Sequence, residues 1–311
     1  MKIFLLLLAL SGFAFARSPA GFEERSLSHG GLTRNYYIHF PPNYSPQRPL
    51  PLVILLHGGG GGARGALQHY PLQEVADRHG FILVAPNGTG PLRREILRTW
   101  NVLFGFGYAQ RKKIDDIGFV RSLILKVREE EAVDPTRVYL TGLSNGAILC
   151  HFAAAANSDL VAGIAPVVGT AAGRSDPAQP WSYPDPPKHP VDVILFNGEL
   201  DQSIPLQGGV QKKHAEKQPR YVISAQASAE FWVKANGCNP EPMVEKLPEQ
   251  KATRTTWSGG RDGTRVVLYV LHNQGHAWPG GSAPRSVADP PSQLLKAHEV
   301  LWDFFRSRPR R

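Results

Sequence analysis

The chain is poor in sulfur, with 2 cysteines and 2 methionines among 311 residues. Two cysteines can close one bridge at most, so a disulfide framework is excluded as the basis of the fold. Cys150 falls in an Ala-rich stretch and is expected as a small apolar core residue. No C-x-x-C or H-E-x-x-H spacing occurs, and the 11 histidines do not cluster at ligand spacing. No structural metal is therefore expected. Long apolar runs are scarce: beyond the first residues the next one, residues 50–56, contains Pro51 and stops at glycines. A bilayer span needs about 20 apolar residues, which excludes stable membrane insertion. Repeats and low-complexity tracts are absent as well.

The net charge of +9 raises the question of a nucleic-acid partner. Its densest cluster is the tail from Arg306 to Arg311, while the other basic residues are scattered among acids without an aromatic-interleaved stripe. A solvated tail accounts for this, and no nucleic acid is expected.

The beginning of the chain is distinctive. Met1-Lys2 leads into an apolar stretch from Ile3 to Leu10 and then the small-x-small site Ala14-Phe15-Ala16. This pattern predicts a signal peptide over residues 1–16, a secreted or periplasmic product, and one catalytic domain over residues 17–311. A monomer is expected.

Apolar runs at residues 50–56, 81–86, 137–140, 161–168, 191–196 and 266–271 read as strands, several of them covered on both faces. Residues 34–40 alternate and stop at Pro41-Pro42, as an edge strand would. Helical spacing covers residues 66–79, a helix begins at Asp115-Asp116, and others follow over 147–156, 224–236 and 294–305. Carboxylates in the first turn explain Asp115 and Asp116 as capping groups. Strand, helix, strand in succession predicts an α/β fold with a mostly parallel central sheet and helices on both faces. Residues 170–190, dense in proline, are expected to be irregular and to cover one side of a cleft.

The chemistry centres on Gly142-Leu143-Ser144-Asn145-Gly146, where a strand ends in G-x-S-x-G and a helix begins. A nucleophilic serine needs the apex of a tight turn, and the two glycines remove side chains that would collide there. Serine also needs an imidazole to take its proton and a carboxylate to orient that imidazole. Asp201 and His276 stand in loops after later strands, in the chain order nucleophile, acid, histidine. Glu199 and His272 are the competing acid and base. His57 precedes Gly58 to Gly62 and is read as structural or oxyanion-shaping, not as the general base. Backbone N–H groups of Asn145 and of Gly58 or Gly59 are the expected oxyanion donors. Trp100 and Trp278 are candidate substrate contacts. A phosphate loop is the competing reading of these glycines, and the lack of a following G-K-[ST] counts against it.

Taken together, Leu55-Leu56-His57-Gly58, Trp100-Asn101, Asp115 to Phe119, Val138 to Gly146, Asn236-Gly237-Cys238 and Gly275 to Gly281 resemble the exported poly(3-hydroxybutyrate) depolymerase-like esterases. That group includes the feruloyl and acetylxylan esterases of carbohydrate esterase family 1. The resemblance spans nearly the whole mature chain. It implies an α/β-hydrolase that needs no cofactor and carries a Ser144-His276-Asp201 triad. Its implied substrates are small or polymeric esters: hydroxybutyrate-type or short-chain esters, or feruloyl or acetyl groups on plant polysaccharide. The rival expectation is a non-catalytic hydrolase scaffold that binds an anionic or sugar-rich polymer. The chain departs from the family pattern at Asn197 to Asp201, at Ala147 where a third glycine is usual, and at Asn273-Gln274 where glycines are common. No length is left for an appended polymer-binding module.

Overall fold

The computed structural model describes residues 19–92, 94–211, 219–282, 289–307 and 309–310, so the leader assigned to residues 1–16 lies outside the described residues. In chain order the strands are β1 (Glu23–His29), β2 (Leu32–His39), β3 (Leu50–Leu56), β4 (Ile82–Pro86), β5 (Val133–Leu143), β6 (Gly163–Val167) and β7 (Gly173–Arg174). They continue as β8 (Asp192–Gly198), β9 (Gly209–Val210), β10 (Tyr221–Val222), β11 (Met243–Leu247), β12 (Ala252–Trp257) and β13 (Val266–Leu271). The helices are α1 (Ala63–His69), α2 (Leu72–His79), α3 (Tyr108–Arg111), α4 (Asp116–Glu130), α5 (Asn145–Ala156), α6 (Ala225–Asn236) and α7 (Ala297–Phe305).

Ten strands form one sheet in the order β1-β2-β4-β3-β5-β6-β8-β13-β12-β11. From β4 to β13 all neighbours run parallel, and antiparallel strands flank this centre on both sides. The parallel strands are the continuous apolar runs, because helices cover both of their faces. In β3, Leu52, Ile54 and Leu56 join the core shared with α4, α5 and α6, while Val53 and Leu55 join the core shared with α1, α2 and α7. This is the two-residue period of a strand buried on both sides. The arrangement is an α/β-hydrolase fold.

Three sequence expectations change. The strand at residues 34–40 is not an edge: β2 lies between β1 and β4. The edge strands β1 and β11, and β12 inside β11, were not expected, because their exposed charged residues mask any apolar period. The helix expected over residues 66–79 is two helices, broken at Tyr70-Pro71, where proline lacks the N–H that a continuing helix would use. Gly80 ends α2 at φ 76°, in the left-handed region that glycine adopts without strain.

Asp115 caps α4 by accepting from the Gly118 N–H at 2.9 Å. Asp116 does something else. It is buried, accepts from Arg34 Nη2 at 2.7 Å, and accepts from the Asn101 N–H at 2.7 Å. It thereby ties the start of α4 to β2 and to the loop after β4. Cys150 and Cys238 are both free and buried, and burial pushes the Cys150 thiol well above its ordinary range. Among the described residues, no helix is long and apolar enough to cross a membrane.

Candidate active site

Strand β5 delivers Ser144 at φ 56° and ψ −117°, so a non-glycine residue holds a left-handed backbone between strand and helix. Such a conformation costs of order 1–3 kcal/mol and persists only where its surroundings impose it. The surroundings are the adjacent strand. A Cβ on Gly142 would stand 2.5 Å from the Leu56 carbonyl oxygen, and one on Gly146 would stand 2.2 Å from it and 2.6 Å from the His57 oxygen. Both glycines are therefore demanded by contact with backbone. Ala147, where the family pattern has glycine, finds room because position 169 is glycine: a Cβ there would lie 2.6 Å from the Ala147 methyl carbon.

His276 Nδ1 and Asp201 Oδ2 are 2.7 Å apart. The carboxylate is 1 % exposed, and its other oxygen accepts from the N–H groups of Ser203 at 2.7 Å and Ile204 at 2.8 Å. With all of these donors aimed at it, Asp201 holds Nδ1 as the protonated nitrogen and leaves the Nε2 lone pair free. Ser144 and His276 line the same cavity of about 330 Å³. Among the described residues no hydrogen bond links their side chains, and catalytic contacts are often this loose before substrate binds.

Two residues invisible to motif reading hold the histidine loop. The His276 N–H donates to Asp289 Oδ2 at 2.6 Å. Gln274 is fully buried; its amide donates to the carbonyls of Gly275 and Ala277, and its oxygen accepts from the Ser292 N–H at 2.7 Å. The departure from glycine at position 274 thus adds a brace. Glu199 and His272 also find one another, at 3.0 Å, but on the surface and outside the cavity.

Asn145, the expected oxyanion donor, begins α5, where backbone N–H groups have no helical partner. Its side chain clamps the neighbouring loop, accepting from the Trp100 N–H at 2.7 Å and donating to the Trp100 carbonyl at 3.2 Å. Gly59 lines the cavity, and its missing Cβ would meet Phe106 at 2.7 Å. Gly58 packs beside Leu143 and Ser144. His57 is buried, with Nδ1 2.8 Å from the Gly58 oxygen and Nε2 accepting from the Gly88 N–H at 2.9 Å. That pairing requires a neutral ring, and burial pushes its pKa down to about 4.

Trp100 and Trp278 do not line the cavity. Trp100 is fully buried beneath the glycine loop and donates from Nε1 to the His57 carbonyl at 2.8 Å; Trp278 is buried and stacks on Tyr70. The cavity wall is built instead by Val102, Phe104, Phe106, Ile148 and Ile204, with Asn145, Ser203, Gln211 and Arg220 among its polar members. Residues 170–190 are absent from that wall. Apart from Asn145 and Ile148 on α5, these wall residues come from loops without local periodicity, so only their aromatic content was visible beforehand.

The fold and the likenesses to known esterases place the chain among carboxylic ester hydrolases of the α/β-hydrolase fold. Residues 34–179 match the family described as Esterase PHB depolymerase. It is 28% identical over 294 residues to the Nocardia uniformis protein named "Putative esterase NocK", covering 90% of this chain and 81% of that one. It is 24% identical to feruloyl esterase C of Emericella nidulans, covering 93% and 91% of the two chains. Among solved structures, acetyl xylan esterase from Aspergillus awamori superposes with a TM-score of 0.56 at 15% identity, covering 82% of this chain and 94% of that chain.

Proposed function

We propose that the protein is an exported serine carboxylesterase with Ser144 as nucleophile, His276 as general base and acid, and Asp201 as the group that orients His276. The observation that carries this reading is the strained Ser144 backbone in one cavity with a histidine whose Nδ1 is held by a buried carboxylate. In the first step Ser144 Oγ bonds to the ester carbonyl carbon and gives its proton to His276 Nε2. The carbonyl oxygen becomes an oxyanion, received by the N–H groups of Asn145 and of Gly58 or Gly59. The tetrahedral adduct collapses, the C–O bond to the alcohol breaks, and the alcohol leaves with the proton from His276. Water then gives a proton to His276, attacks the acyl-enzyme, and releases the acid while the proton returns to Ser144.

The cavity suits a small ester or the end of an oligomer, with hydroxybutyrate-type or short-chain esters as the first substrate class. Phe104 and Phe106 in its wall, together with the relatives named feruloyl and acetyl xylan esterase, favour an aromatic or acetyl ester of plant polysaccharide as the second reading. Release of p-nitrophenol from its acetate and butyrate esters tests the chemistry. Ser144→Ala is expected to lower kcat by at least about 10,000-fold. Turnover that survives this change, or no turnover by the unaltered protein, sinks the proposal and leaves the non-catalytic scaffold as the better account.

A further inference from the structure

Arg220 is the charged group in the cavity for which ester hydrolysis by Ser144, His276 and Asp201 has no use. It is 7% exposed, and its guanidinium carbon lies 4.0 Å from the centre of the Phe106 ring. Its Nε is buried without a hydrogen-bond partner, and among the described residues no acidic side chain forms an ion pair with it. Burial pushes its pKa down to about 10, so it stays cationic at neutral pH. Gln211 stands beside it, its N–H donating to the Arg220 carbonyl at 2.9 Å and its buried side-chain oxygen unpaired. Both residues line the cavity that holds Ser144 and His276.

A buried, unpaired cation is unfavourable, and the face of one aromatic ring offsets only part of that cost. The group that would complete the site is an anion with two oxygens, because a guanidinium presents a planar fork of donors that matches a carboxylate. The rest of the wall is mainly apolar, which strengthens such a contact by excluding water. A neutral ester of the same size would leave the guanidinium unsatisfied. The net charge of +9 also favours approach of anionic molecules.

We propose that Arg220 binds a carboxylate carried by the ester substrate, so that the site selects esters with a free acid group over neutral esters of equal size. A hydroxy-acid oligomer ending in a free acid is one such compound. The inference rests on the esterase reading above, but it concerns substrate choice and can fail separately.

Two matched substrate pairs test it. With the acid on the alcohol side, the 3-hydroxybutyrate dimer is compared with its terminal carboxamide. With the acid on the acyl side, the p-nitrophenyl monoester of adipic acid is compared with p-nitrophenyl hexanoate. At least one pair is expected to favour the acid by about 10-fold or more in kcat/KM, mainly through KM. Arg220→Met should bring that ratio to about one whatever its absolute rate, and Arg220→Lys, which keeps the charge but loses the fork, should retain part of it. Melting temperatures establish that each variant is folded. The proposal is overturned if neither pair favours the acid in the unaltered protein, or if the ratio survives in Arg220→Met. Failure of the esterase reading looks different, because then no ester of either kind is turned over.

Discussion

Two imidazole–carboxylate pairs arise from the same two loops, those after β8 and β13. Asp201 meets His276 at 2.7 Å, and two residues earlier and four residues earlier, respectively, Glu199 meets His272 at 3.0 Å. The groups and distances are nearly alike, but their surroundings differ. Asp201 and His276 are 1 % and 16 % exposed at the side chain, against 51 % and 44 % for Glu199 and His272. The inner carboxylate also has two backbone N–H donors and opens through its histidine onto the cavity with Ser144. The outer pair is exposed to solvent. An exposed ion pair contributes about 0–1 kcal/mol and orients nothing else. Chemistry is assigned by enclosure and by what the second ring nitrogen faces.

The contrast is sharpest if the inner acid is neutralised. Asp201→Asn keeps the shape but reverses the preferred tautomer of His276, and kcat on p-nitrophenyl butyrate is expected to fall by about 1,000-fold or more. A loss of less than tenfold would break the distinction between the two pairs.

His57 extends the comparison to a histidine whose ring is bonded to backbone groups instead of a carboxylate. Its folded pKa of about 4 lies below the ordinary 6.5. Above about pH 6.5 both folded and unfolded chains carry it neutral, and its contribution to stability is complete. As pH falls from there to about 4, the unfolded chain takes up a proton that the folded chain refuses. Stability should decline by up to about 1.4 kcal/mol per pH unit for this one group, or ~3 kcal/mol across the window. Urea midpoints recorded from neutral to acidic pH, with His57→Gln flattening the dependence by about one proton, measure it.

A smaller effect is expected at the brace. Asp289→Ala removes the acceptor of the His276 N–H, and kcat should drop by roughly tenfold through loss of one hydrogen bond to a charged group, with the melting temperature little changed. The smallest belongs to the outer pair: Glu199→Gln should alter kcat/KM by less than about twofold and unfolding free energy by less than about 0.5 kcal/mol.

The parallel centre of the fold was legible because strands buried on both faces are written as uninterrupted apolar runs, as in Leu50 to Leu56. The flanking strands β1, β11 and β12 were not, since half-exposed residues such as Glu23, Glu245 and Arg254 carry no apolar signal. Ser144, Asp201 and His276 were nominated by a motif and by chain order, both of which are local facts about loops that follow strands. Asp289, Gln274 and Arg220 were not nominated. Their neighbours in space come from distant segments, and an aspartate, a glutamine or an arginine in a loop has no pattern of its own. Trp100 was misjudged for a related reason: an aromatic residue beside a glycine loop serves equally as a floor or a wall, and here its ring is the floor.

The glycines around Ser144 differ in what they allow to change over time. Position 146 confronts backbone oxygens of Leu56 and His57, atoms that every amino acid brings, so no second substitution elsewhere can make room for a side chain there. Position 169 confronts the methyl group of Ala147, which a single substitution removes. The first is an absolute constraint, while the second is a bargain between two positions. Among descendants of this sequence, Gly146 should stay fixed as long as the turn is used, and residues 147 and 169 should drift as a couple, one gaining a methyl group where the other gives it up.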